Sequence, residues 1–382
     1  MHFDFATAGR ILFGCGTLAR VPDVVAEFGG RALIVTGSRP ERAAALCSAL
    51  GKASIEFSTF ACPGEPTLAT VRSGVQAVKG HDVVIGFGGG SAIDCAKAMA
   101  ALATNSGEPL DYLEVIGKGR ALENAPLSWI AIPTTAGTGA EVTRNAVLSS
   151  PEHAVKASLR SPSMLAKAAV IDPNLTCSLS PAATASTGLD ALTQLIESFV
   201  CNRANTFTDM LCREGLPRAG RALERAFNDG HDLAARSAMS YASLLSGLAL
   251  ANAGLGVVHG FAAPLGGMLH APHGALCAAV LPHGVAANIA ALAEREPSSP
   301  AFAKYAEIAQ ILTGNEHACP QDAVAWIASL CRRLSVAPLR AYRLREAQLP
   351  LLVEKAAQAS SMKANPIRLT AAEMTEIARG CL

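Results

Sequence analysis

The run DVVIGFGGGSAIDCAKAMAAL, residues 82–102, decides how this chain folds. Asp82–Gly86 is apolar and β-branched, as a buried strand is, and Ala92–Leu102 is an Ala-rich helical segment. Between them lie Gly88, Gly89, Gly90 and Ser91. Glycine lets a ligand approach the backbone closely, and the free N–H groups of a helix start favour an anion such as a pyrophosphate. The spacing is not GxGxxG, so the turn lacks the common dinucleotide fingerprint.

Outward from this unit the same alternation repeats. Arg31–Thr36 predicts a strand, Glu41–Leu50 a helix, Ser54–Phe60 a strand, Thr67–Val78 a helix and Trp129–Ile132 another strand. The last runs into PTTAGTGAE, residues 133–141, where Thr134, Thr135 and Thr138 offer hydroxyls among glycines. Two polar loops after successive strands place a ligand at the carboxyl edge of a mostly parallel sheet. After Val170–Pro173 the pattern becomes helical: Ala182–Val200, Thr206–Asn228, Leu233–Ala251 and further segments beyond Phe302. Gly215 and Pro217 predict a break in the second of these. The chain thus divides into an α/β domain, 1–176, and an all-α domain, 177–382.

The bulk composition narrows the function. With 382 residues, 50% of them hydrophobic and 16% charged, the chain suits two globular domains. A net charge of +1 gives no broad attraction to nucleic acid or anionic lipid. Eleven cysteines are scattered without a CxxC pair, as reduced thiols in a cytoplasmic protein are. No basic region followed by an apolar core opens the chain. From Ser237 to Ala293 there is no Asp, Glu, Lys or Arg, and Tyr241–Val258 is long enough to span a bilayer. Its Ser, Gly, Ala and Asn content, without an aromatic belt or flanking cations, reads instead as a buried core.

The helical half carries a polar constellation. Asp190 and Gln194 share a helix face at i, i+4. His259 and His273 are fourteen residues apart, which on one straight helix would separate them by ~21 Å. Pro264, Gly266, Gly267 and Pro272 interrupt that segment, so the imidazoles can converge from separate elements. Asp190, Gln194, His259 and His273 then form an N/O donor set suited to a divalent first-row ion. The competing reading is a set of satisfied core polar groups. His270 and His273, at i, i+3, are the candidate proton carriers.

These residues together carry a family resemblance. Gly14–Leu18, GGGSAIDCAK, PTTAGTGAE, Lys156, Ile171–Pro173, GLDALTQLIE from 188, Ala204–Asn205 with Thr208–Asp209, and HGFAAPLGGMLHAPHG from His259 span nearly the whole chain. In them the chain resembles the iron-containing (group III) alcohol dehydrogenases, within the dehydroquinate synthase-like superfamily. The resemblance implies a Rossmann-like N-terminal domain, a helical C-terminal domain, and cofactor and metal in the cleft between them. It implies NAD or NADP, with pyrophosphate at Gly88–Ser91, nicotinamide near Asp94, and contacts from the threonine loop and Lys156. It implies Fe²⁺ or Zn²⁺ at Asp190, position 194, His259 and His273, an alcohol or carbonyl substrate, and a homodimer or larger.

Departures from the family pattern matter as much. Gln194 stands where the family has a histidine ligand, which implies a weakly bound ion, and Ala263 where it often has a histidine near the substrate. Gly37, Ser38 and Arg39 follow the second strand, where an acidic residue often rejects a 2′-phosphate. The family's Pro-Asn-Pro turn reads Gly64-Glu65-Pro66. The leading expectation is a metal-dependent alcohol dehydrogenase or carbonyl reductase. The alternatives are a metal-independent enzyme of the maleylacetate reductase type, and a protein that only binds dinucleotide.

Overall fold

The computed structural model describes residues 2–153, 155–269 and 271–382. The chain divides into two compact units, Phe5–Cys177 and Ser178–Leu382, the second taking in the N-terminal residues up to Asp4.

The first unit contains strands β1 (Ile11–Phe13), β2 (Arg31–Thr36), β3 (Glu56–Ala61), β4 (Val83–Gly88), β5 (Trp129–Pro133), β6 (Asn145–Ser150), β7 (Val155–Arg160) and β8 (Ala168–Ile171). Its helices are α1 (Val21–Ala26), α2 (Ala44–Lys52), α3 (Leu68–Ala77) and α4 (Gly90–Leu102). Six strands pair in parallel in the order β1-β8-β5-β4-β2-β3. The central strands β4 and β5 are buried along their whole length, which is why they read as unbroken apolar runs. Ile34, Val83, Ile85, Ile130, Ile132 and Val170 form one core with Val24, Leu46 and Leu50 of the helices.

After β2 the chain moves outward to β3 and then crosses back to β4 on the other flank of β2. That reversal opens a crevice at the carboxyl ends of β2 and β4, where open parallel sheets bind ligands. The register keeps these ends level: Thr36 pairs with Phe87, and Gly88 with Pro133. The antiparallel β6–β7 hairpin, the edge strand β1 and its neighbour β8 were not legible in the alternation.

The second unit consists of helices α5 (Pro181–Val200), α6 (Thr206–Asn228), α7 (Leu233–Asn252), α8 (Val257–Met268), α9 (His273–Arg295), α10 (Pro300–Thr313), α11 (Pro320–Arg333), α12 (Leu349–Gln358) and α13 (Ala371–Gly380). The expected break at Gly215 and Pro217 does not occur, and α6 is continuous. Gly215 instead admits Leu195 of α5, since an added Cβ would lie 2.6 Å from Leu195 Cδ2. Packing against α5 and α7 outweighs the ~3 kcal/mol that an internal proline costs.

Helix α9 is long and apolar enough to cross a bilayer by length and composition, but 67% of its most apolar window is buried within the protein. Its first turn lies against α5, and an added Cβ at Gly274 would sit 2.3 Å from the Ser186 carbonyl oxygen. Gly274→Ala is therefore expected to displace α9 and destabilise the protein by ~1–3 kcal/mol. Thermal melting checks this; an unchanged midpoint would contradict the packing described.

Candidate functional site

Helix α5 carries Asp190, Gln194 and Glu197 along one face at i, i+4 and i+7, and all three are buried. Helix α8 brings buried His259 to this face. Its Nδ1 lies 2.6 Å from Glu197 Oε2, and its Nε2 lies 3.4 Å from Asp190 Oδ1. An N–H on Nδ1 donating to the Glu197 carboxylate leaves the Nε2 lone pair free to bind an ion. Glu197 also accepts from the backbone N–H groups of Val258, at 2.6 Å, and His259, at 3.4 Å. Those groups open α8, whose N-cap, Gly256, has no side chain to satisfy them. One carboxylate therefore caps the helix and orients its imidazole.

Helix α9 supplies the rest. Pro264, Gly266 and Gly267, expected to interrupt this segment, lie inside α8; the helix ends only at Met268, and α9 opens at His273 with Pro272 as its N-cap. His273 stands beside His259, with ring centroids 5.5 Å apart. One ligand atom from each of Asp190, His259, His273 and Cys277 lies within 4.8 Å of the others. His273 Nε2 is 3.9 Å from Asp190 Oδ1, and Cys277 Sγ is 3.6 Å from His273 Nε2 and 3.8 Å from His259 Nε2. Asp190 Oδ1 is buried with no hydrogen-bond partner. Burial alone would raise the Asp190 carboxyl, but the adjacent imidazoles of His259 and His273 hold it below the ordinary carboxylate range. An orphaned carboxylate oxygen facing two imidazole nitrogens fits a divalent cation.

Gln194 occupies a different environment from the other three expected ligands. Its Oε1 accepts a hydrogen bond from Ser246 of α7 at 2.7 Å. His270 lies outside the described residues.

In the first unit, a pocket of about 210 Å³ opens at the crevice between β2 and β4. Gly37, Ser38, Arg39 and Arg42 line it from the β2 side, Phe87, Gly88 and Gly89 from β4, and Thr134 and Thr135 from β5. The glycines are sterically required. Gly88 has φ +158°, and an added Cβ there would lie 2.6 Å from Ala92 Cβ; one at Gly90 would lie 2.9 Å from Thr138. Gly89 caps α4 without a side chain, so the helix's first N–H groups face the loop undecorated. Ser91 follows in the first turn.

Buried Lys97 secures the threonine loop from beneath. Its Nζ donates to Ala140 O at 2.9 Å, Thr143 Oγ1 at 3.0 Å and Asn145 O at 2.7 Å, and lies 3.6 Å from Asp94 Oδ1. Asp94 also accepts from the Val147 N–H at 3.1 Å. Lys156 Nζ pairs with Glu65 Oε1 at 2.5 Å, so the residue that replaces the family's turn asparagine binds the expected cofactor lysine.

Three residues of these sites escaped the sequence reading. Cys277 is four residues after His273, hence on the same helix face, but in isolation it looked like one scattered thiol. Glu197 is two turns from Asp190, and its spacing was a usable signal. Arg42 gave none, because only the fold turns it into the pocket; its Nη2 donates to Leu175 O at 2.7 Å.

Residues 8–173 match the family model for iron-containing alcohol dehydrogenase, and residues 184–382 match that for the C-terminal region of the Fe-containing alcohol dehydrogenase family. The chain is 32% identical over 392 residues to the 1,3-propanediol dehydrogenase of Klebsiella pneumoniae, covering 99% of this chain and 98% of that one. A crystal structure of a 1,3-propanediol oxidoreductase superposes with a TM-score of 0.93 at 31% identity over 100% of both chains. The sulfoacetaldehyde reductase of Bifidobacterium kashiwanohense, solved with NAD⁺, gives a TM-score of 0.87 at 26% identity, covering 99% of this chain and 98% of that one. The chain belongs to the iron-containing alcohol dehydrogenase family and is an NAD(P)-dependent oxidoreductase that interconverts an alcohol and its carbonyl compound.

Proposed function

We propose that this enzyme acts on small alcohols and aldehydes, of the size of a propanediol and its aldehyde, with a divalent ion held by Asp190, His259 and His273. The observation that carries the reading is the orphaned, buried Asp190 Oδ1 facing two imidazole nitrogens. When bound, such an ion acts as a Lewis acid that polarises the substrate oxygen. The first N–H groups of α4, at Gly89, Gly90 and Ser91, bind the cofactor pyrophosphate, with Gly88 allowing its close approach. The hydroxyls of Thr134, Thr135 and Thr138 fix its orientation. Asp94 and Lys156 complete the cofactor contacts, Lys156 by exchanging Glu65 for the ligand. When bound, the nicotinamide would supply or accept the hydride at the substrate carbon. Of the two candidate proton carriers, His273 already faces Asp190 and Cys277 through Nε2, which leaves His270 to move the hydroxyl proton.

We further propose that the enzyme accepts NADPH at least as well as NADH. No carboxylate lines the pocket after β2, and Arg39 and Arg42 line it there with Ser38. Burial and then the neighbouring Arg39 hold the Arg42 guanidinium below its ordinary range, against a smaller opposing pull from Glu41. A 2′-phosphate is the anion the two arginines suit. Cytoplasmic residence is supported by eleven free cysteines, and homodimerisation by exposed Phe57 and Phe13 on the two edge strands.

Chelation tests the central reading: activity should fall with metal removal and return on adding Fe²⁺ or Zn²⁺. Held by Asp190 and two imidazoles alone, where the family has three imidazoles, the ion should leave readily. Full turnover by metal-free protein would contradict this and favour a metal-independent reductase. Steady-state kinetics with both cofactors test the second reading, and a hundredfold preference for NADH would defeat it. Arg42→Ala should raise the KM for NADPH by about 10–100-fold, the loss of ~1.5–3 kcal/mol for a charged hydrogen bond, with little change for NADH. Gly37→Asp should shift preference towards NADH. Glu197→Gln should weaken metal binding by about 10–100-fold, as losing a ligand's hydrogen-bond partner does; unchanged affinity would deny Glu197 that role.

A further inference from the structure

We infer that Cys277, and not Gln194, supplies the fourth ligand, so that the ion is held by one carboxylate, two imidazoles and a thiolate. This rests on the metal reading above and assigns a residue to the place that the missing histidine leaves open.

Metal–nitrogen and metal–oxygen bonds of ~2.0–2.1 Å and metal–sulfur bonds of ~2.3 Å set the edges of a tetrahedral zinc site. They require ~3.4 Å between nitrogen and oxygen ligands and ~3.6 Å between sulfur and nitrogen. Here His259 Nε2 and Asp190 Oδ1 are 3.4 Å apart, and Cys277 Sγ is 3.6 and 3.8 Å from the two imidazole nitrogens. His273 Nε2 to Asp190 Oδ1, at 3.9 Å, is the longest of these edges and the only one that must contract appreciably. These four of the six edges are near tetrahedral spacing, and all four ligand atoms lie within 4.8 Å of one another. A helix fixes two of them together, because His273 and Cys277 are separated by one turn of α9.

Gln194 is committed elsewhere. Its Oε1, the amide atom that binds cations, lies 2.7 Å from the buried Ser246 hydroxyl, whose single proton also has the Ser243 carbonyl oxygen at 2.8 Å within reach. Turning it to an ion would give up that buried contact. On coordination the metal–sulfur bond forms as the thiol S–H bond breaks, and the proton leaves to solvent. A thiolate is a soft donor, so the site should prefer zinc to iron(II).

Cobalt(II) substitution reads the donor directly. Chelator-stripped full-length protein is given one equivalent of Co²⁺, and bound cobalt and the near-ultraviolet spectrum are measured. The expected result is stoichiometric cobalt with a sulfur-to-cobalt charge-transfer band. The band should vanish in Cys277→Ser and Cys277→Ala and persist in Gln194→Leu. Equal iron(II) and zinc offered anaerobically should leave mainly zinc bound. Cobalt bound without the band, or a band that survives both Cys277 substitutions, would overturn the cysteine assignment and leave the metal reading intact. Loss of cobalt binding in Gln194→Leu with retained helical content would return the fourth place to Gln194. Failure of the unmodified protein to bind any cobalt would defeat both readings.

Discussion

His259 is held between two carboxylates of one helix, and the candidate metal centre depends on that placement. Glu197 takes the Nδ1 side of the ring and Asp190 faces Nε2. The two acids are seven residues apart on α5, two turns, so the helix itself sets their spacing. Glu197 also ends the backbone N–H groups of α8, which ties the ring's orientation to the placement of the helix that carries it. An imidazole bridged in this way has its tautomer chosen and its open nitrogen aimed before any ion arrives.

The neighbouring helices are arranged to keep this geometry. Gly188 of α5, Gly215 of α6 and Gly274 of α9 mark places where α5 and its neighbours meet too closely for a side chain, against Leu223 of α6, Leu195 of α5 and the Ser186 carbonyl of α5 respectively. Asn365 binds the Val257 N–H at 2.9 Å and exchanges hydrogen bonds with Asn288 of α9, so the starts of α8 and the body of α9 share one buried amide pair. Because these groups are buried and paired, moving either helix would leave polar atoms unsatisfied. The rigidity of the donor set is thus a property of the core around it.

Much of this was legible from the residues. The strand–glycine–helix run at 82–102 carried the parallel sheet, and the loss of β-branched runs after Pro173 carried the change to helices. Asp190, His259 and His273 stood out as polar groups in a segment almost without charge. What escaped depended on contacts between distant parts of the chain. Pro217 sits inside a helix because α5 and α7 clamp it, which no local propensity reveals. Strands β1 and β8 are short and pair across more than 150 residues, from Ile11 to Ala169. Gln194 shares its helix face with Asp190, yet Ser246 from another helix takes its oxygen. Cys277 resembled any buried thiol until α9 set it one turn from His273.

The account's central claim is that the buried donor cluster is built around a divalent ion. An anomalous difference map from a crystal of the metal-loaded enzyme, collected at the absorption edge of the bound metal, tests it most directly. The account predicts one strong peak within bonding distance of Asp190 Oδ1, His259 Nε2 and His273 Nε2. No peak there in an active crystal, or a peak elsewhere with these three side chains hydrogen-bonded only to one another, would contradict it.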